Sequence, residues 1–214
     1  MRARLRVAAV GSFMAVVGFA PIPLGYLLSA PGRGSETLFV ADVLGVGLLL
    51  VAVALVAQAL GFLAFLRHSP ISRVVAVGAV ADALAVAAIG VILLADRGPC
   101  TEGLYCSGQV VGSLARTAIY FWFPVLGIGY VFVGALVLAE PAVRRATPFA
   151  AAAGLLLGAG VALVAFLASI YNRGFGLVAN LLFLLSLALS LAANAALGGA
   201  FLGSARDAAN ARRF

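Results

Sequence analysis

Six runs of apolar residues follow one another along the chain, each near or above the roughly 20 residues that a helix rising about 1.5 Å per residue needs to cross a hydrocarbon core of about 30 Å. They cover residues 5–28, 39–66, 74–95, 117–139, 149–171 and 177–203. Charged and turn-forming residues collect between them, as in APGRGSE (30–36), RHSPISR (67–73) and EPAVRRATP (140–148). Lipid cannot satisfy an open backbone, so each run is read as a transmembrane helix. The expected fold is therefore all-α: a polytopic bundle of six spans forming a single integral membrane domain over residues 1–214, with 96–116 as its longest loop.

Composition agrees with the pattern. Hydrophobic residues make up 64% of the chain and charged residues 10%, where a soluble domain carries roughly 25% charged residues. The formal charge of +7 comes from arginine alone, since there is no lysine. Placed by position, the arginines become a topology signal, because short cytoplasmic loops are enriched in basic residues. Arg2, Arg4, Arg6, Arg67, Arg73, Arg144, Arg145, Arg206, Arg212 and Arg213 fall on one side of a six-span arrangement. Arg33, Arg97 and Arg173 fall on the other, with Arg116 at the edge of the fourth span. Both termini are thus expected in the cytoplasm, in a protein of the cell membrane whose first partner is the lipid bilayer. A nucleic-acid partner is not expected, since no soluble domain is present to carry a contiguous basic surface.

The first run follows MRARLR. Its length exceeds the 7–15 apolar residues typical of a secretory signal, so it is read as a retained span; cleavage after YLLSA would leave five.

Several chemistries are excluded by what is missing. Without lysine there is no Schiff base to retinal or pyridoxal phosphate and no Walker A lysine, and the single histidine, His68, cannot supply bis-histidine haem ligation. HExxH and GxSxG are absent, no span holds a histidine, and the acids are too dispersed for a metal-dependent site. No catalytic residue, cofactor or metal is expected. The only cysteines, Cys100 and Cys106, share the loop DRGPCTEGLYCSGQ, which the arginine count puts outside the cytoplasm. A structural disulfide there is preferred to a redox pair, which usually reads CxxC, and to a zinc site, which would need more ligands.

Small residues recur at helical spacing, as membrane helix packing requires. Gly11, Gly18 and Gly25 repeat every seven residues in the first span, and Gly154, Gly158, Ala162, Ala165 and Ser169 form a stripe on the fifth. Internal packing of the bundle is the expected use of both, with self-association open. Pro21, Pro23 and Pro124 are expected to bend their helices around neighbours.

Few ionisable groups lie within the spans. Asp42 and Arg116 fall near outer ends and are expected to reach headgroups or each other, beside the aromatic belt of Tyr120, Phe121, Trp122 and Phe123. Asp82 alone lies deep, where an ionisable group is a functional candidate. Gln58 and Asp82 stand twelve residues either side of Pro70, and counting back along spans four and six gives Tyr130 and Asn194 a similar height. Asp82, Gln58, Tyr130 and Asn194 are therefore expected to meet in one intramembrane layer. The carboxyl, distant from any cation, is expected to be protonated and to donate to Gln58 or Asn194.

Two functional readings follow. The first is a non-catalytic membrane component packing with itself or with a partner subunit. The second is a small proton-coupled transporter or solute-binding membrane subunit with its site around Asp82.

Overall fold

The computed structural model describes residues 1–20, 36–95, 123–173 and 176–210. Among them the chain forms six long helices, one short helix and no strand. In order these are α1 (Arg2–Phe19), α2 (Glu36–Phe65), α3 (Ile71–Ala95), α4 (Phe123–Ala139), α5 (Pro141–Arg145), α6 (Thr147–Arg173) and α7 (Leu177–Asn210). Four segments are long and apolar enough to cross a membrane: Gly45–Phe65, Ile71–Ile92, Thr147–Asn172 and Leu177–Asn210. Leu126–Ala139 is apolar but shorter. The 18 residues of α1 include Arg2, Arg4 and Arg6, which leaves a short apolar remainder within the described part of the first expected span. Helices α2, α3, α6 and α7 begin at or before the expected spans and end at or beyond them, except that α2 stops one residue short. Pro124 is the second described residue of α4.

Proline and serine set the turns. Pro70 disfavours a helical conformation at Ser69, so α2 closes with Leu66 N–H on Phe62 O, and Ser69 O accepts from Ser72 N–H as α3 starts. Glu140 is likewise extended ahead of Pro141, with φ −73° and ψ 120°, and Pro141 opens α5. The two turns meet in space, where Ser69 Oγ donates to Glu140 Oε2 across 2.5 Å.

Among the described residues, consecutive long helices pack as neighbours, and α1 against α7 closes them into a ring. Close approach comes from glycine. A Cβ on Gly18 would strike the backbone oxygen of Gly47, and one on Gly160 would strike that of Gly127, so α1 meets α2 and α4 meets α6 almost backbone to backbone. In lipid, where apolar side chains gain little by hiding, such van der Waals contact holds helices together.

Toward the end of the ring that carries the α2–α3 turn, aromatic rings join α2, α6 and α7. Phe201 packs edge-on against Phe62 and Phe149, with centroids 5.4 and 5.2 Å apart, and Phe149 stacks on Phe65 at 4.0 Å. Phe201 and Phe149 are among the fully buried side chains.

Candidate functional site

The four polar side chains expected in one layer are all buried, but they are not brought together in one cluster. Gln58 on α2 turns toward α1 and α7. Its Nε2 donates to Ser12 Oγ at 3.1 Å and to Asn194 Oδ1 at 2.6 Å. Asn194 Nδ2 donates in turn to Ser190 O at 2.7 Å, Ser190 Oγ to Ser186 O at 2.8 Å, and Ser186 Oγ to Phe183 O at 2.7 Å. Ser12 Oγ donates to Ala8 O at 2.9 Å. Both Gln58 amide hydrogens and the Asn194 acceptor are thereby engaged. The result is a polar seam binding three helices, in which each serine and Asn194 also returns a bond to its own helix three or four residues back.

Asp82 and Tyr130 lie apart from this seam, on α3 and α4. Asp82 on α3 faces α4, where its carboxylate lies against Gly129 so closely that a Cβ there would overlap it. Gly78, one turn earlier on the same face, meets Val133 and Phe132 of α4. Tyr130, the residue after Gly129, turns its Cβ toward Gly160 of α6, where a Cβ would come within 2.9 Å of it. Asp82 and Tyr130 are each 2% exposed, and the Tyr130 hydroxyl has no hydrogen-bond partner among the described residues. Such an orphan is rare, since buried polar groups are nearly always paired.

The hydrogen bond between Gln58 and Asn194 puts those two at one height, but the directions of the side chains were not legible in the sequence. Helical spacing put Gln58 and Asp82 at comparable distances from the Pro70 turn, and the ring turns Gln58 to one neighbour of the α2–α3 hairpin and Asp82 to the other. The expected bond from Asp82 to Gln58 or Asn194 is therefore not made: Gln58 and Asn194 are bonded to each other, to Ser12 and to α7. Two residues were missed. Ser12 is the polar residue adjoining Gly11 on the face that α1 packs against α2, and that adjacency was its signal. Gly129 carries no chemistry, so only the carboxylate occupying its missing side chain reveals it.

Of the other expected sites, Cys100, Cys106 and Arg116 lie outside the described residues. Asp42 sits in the second turn of α2, and its side chain also lies outside the described part. In the first span's glycine repeat, Gly11 and Gly18 pack internally as expected, and Gly25 lies outside the described residues. The stripe on α6 divides. Ala162 is buried, but Gly154 is exposed with nothing within 4 Å of a Cβ placed on it, so internal packing does not use it.

The outer surface differs around the ring. On α2 and α3 the exposed positions carry Val46, Val53, Val56, Val77, Leu84 and Val91, the branched residues expected against acyl chains. Over one half of the adjoining helices α6 and α7 they carry Ala151 and Gly154, then Ala188, Ala192, Ala195 and Gly199. Gly199 and Gly203 also have open space beyond them. No family model, no curated protein and no solved structure matches the chain. The fold itself is that of a helical bundle with several helices suited to a membrane.

Proposed function

We propose that the protein is a six-span integral component of the cell membrane, both termini cytoplasmic, that acts without catalysis by associating with a second copy of itself through α6 and α7. The observation that carries this reading is the small-residue surface spanning Ala151 and Gly154 on α6 and Ala192, Ala195 and Gly199 on α7. Glycine and alanine facing lipid bring little contact to a bundle, but they let a second helix pair approach closely. Two GxxxG pairs, Gly154 with Gly158 and Gly199 with Gly203, lie in these segments, and three of the four glycines meet nothing within 4 Å.

Open space at these positions makes the test clean. Leucine at Gly154 or Gly199 fits the single chain and obstructs a partner. Energy transfer between donor- and acceptor-labelled chains in dilute liposomes is expected for the wild type and lost in Gly154→Leu and Gly199→Leu. Wild-type chains that stay monomeric while co-purifying with a different membrane subunit would replace self-association by a heterologous partner.

Orientation has its own experiment. A membrane-impermeant thiol reagent applied from outside intact cells is expected to label Cys100 and Cys106 only after reduction. Full labelling without reductant removes the disulfide, and labelling solely from the cytoplasmic side reverses the topology.

A further inference from the structure

Packing along the ring decides which arginines share a sector of its surface. Ala8 of α1 occupies the space at Gly61 of α2, and Phe201 of α7 reaches the same place. Helix α1 runs against α2 in the opposite direction, since Gly11 meets Ala57 and Gly18 meets Gly47. Arg2 stands six residues before Ala8 and Arg67 six after Gly61, so the two come to one end of the ring. Helix α7 runs in the direction of α2, with Asn194 on Gln58 and then Phe201 on Phe62, and five residues later it brings Arg206 to that end as well. Arg2, Arg6, Arg67 and Arg206 are all exposed. The acids described at this end are Glu140, which accepts from Ser69, and Asp207, beside Arg206.

We propose that Arg2 and Arg6 of α1, together with Arg67 of the α2–α3 turn, bind the headgroup phosphate of an anionic phospholipid whose acyl chains lie along α1 and α2. The surface below the arginines selects a lipid. On α1 the exposed residues Val10, Phe13 and Val17 continue, at helical spacing, the face that Arg2 and Arg6 begin. On the neighbouring helix the exposed residues Val53, Val56 and Leu60 form a second stripe, and Arg67 follows seven residues after Leu60. A ligand that touches the cations and both stripes has to be anionic at one end and apolar along the rest, which free phosphate is not.

Charge selects the kind of lipid. A zwitterionic headgroup carries its own cation beside the phosphate, whereas an anionic one leaves its charge to the guanidinium groups. Arginine binds phosphate through paired, charge-assisted hydrogen bonds, and basic residues at the membrane surface favour anionic headgroups. Orientation of the chain in the membrane follows from the basic charge summed over each loop and does not require arginines to crown an exposed apolar stripe. The site uses no residue of the α6–α7 surface and does not depend on self-association.

The test is electron spin resonance of the full chain in phosphatidylcholine liposomes, with spin-labelled phosphatidylglycerol compared with spin-labelled phosphatidylcholine. Both leaflets carry the label, so the reading does not depend on which way the chain inserts. Phosphatidylglycerol is expected to be held at the protein surface several-fold more than phosphatidylcholine, and raised salt to reduce the excess. The triple variant Arg2→Gln, Arg6→Gln, Arg67→Gln is expected to lose most of that excess. Arg144→Gln is expected to keep it, because the Arg144 guanidinium already donates to Ala139 O at 3.2 Å. Equal retention of the two lipids by the wild type, an excess unchanged in the triple variant, or an excess lost as fully in Arg144→Gln would overturn the proposal. So would displacement of the labelled lipid by inorganic phosphate at constant ionic strength, which would mark a site for the free anion. Should the triple variant fail to insert, Arg6→Gln alone is expected to lose part of the excess, and no loss there overturns the proposal equally.

Discussion

Gln58 on α2 and Asn194 on α7, 136 residues apart in sequence, are joined by a 2.6 Å hydrogen bond in the interior of the ring. It joins the N-terminal and C-terminal halves through polar chemistry, as Ser69 and Glu140 do at the turns. Interhelical hydrogen bonds in membranes contribute about 0.6 kcal/mol on average and up to about 1.7 kcal/mol, whereas stranding one buried partner costs about 1–3 kcal/mol. Gln58→Leu and Asn194→Leu are therefore each expected to lower the unfolding free energy in mixed micelles by about 1–3 kcal/mol. The double variant is expected to lose clearly less than the sum of the two.

Gly129 and Gly154 make opposite predictions for the same substitution. A Cβ at Gly129 overlaps the Asp82 carboxylate, while one at Gly154 meets nothing within 4 Å. Gly129→Ala is expected to cost about 1–3 kcal/mol through overpacking, and Gly154→Ala to stay within about 0.5 kcal/mol in the monomer. Adding Asp82→Ala to Gly129→Ala removes the obstruction, so the paired variant should unfold later than Gly129→Ala alone.

Phe201 contacts rings on two other helices and also fills the space left by Gly61. Phe201→Ala is expected to cost about 3 kcal/mol, the lower end of the range for large core aromatics, because transfer into lipid replaces most of the water-transfer part of that loss. Thermal denaturation in detergent, followed by helicity, measures it.

The Ser69 to Glu140 hydrogen bond ties two turns at one end of the ring. It is only partly buried, so Glu140→Ala is expected to change global stability by less than about 1 kcal/mol. The local effect should be larger. Trypsin is expected to cut after Arg67 or Arg73 faster in Glu140→Ala than in the wild type, at an unchanged unfolding midpoint.

Gly158 and Gly160 illustrate how far the sequence can be read. Both lie in one small-residue helix, but a Cβ at Gly160 would strike the α4 backbone, while at Gly158 only Leu189 comes near, at 3.4 Å. Composition and spacing say that such a helix can approach a neighbour closely. They do not say which of its faces has one.

Among the described residues, the sequence by itself determined the long apolar helices and the turns around Pro70 and Pro141, because apolar run length, proline and charge act locally. It also singled out Asp82, Gln58, Tyr130 and Asn194, all four of which are buried. The tertiary structure decided where those side chains point. Rotation of each helix is set by close packing against two neighbours in the ring, through glycines such as Gly18, Gly127 and Gly160, and that packing turned Gln58 toward Ser12 and Asn194 and Asp82 toward Gly129.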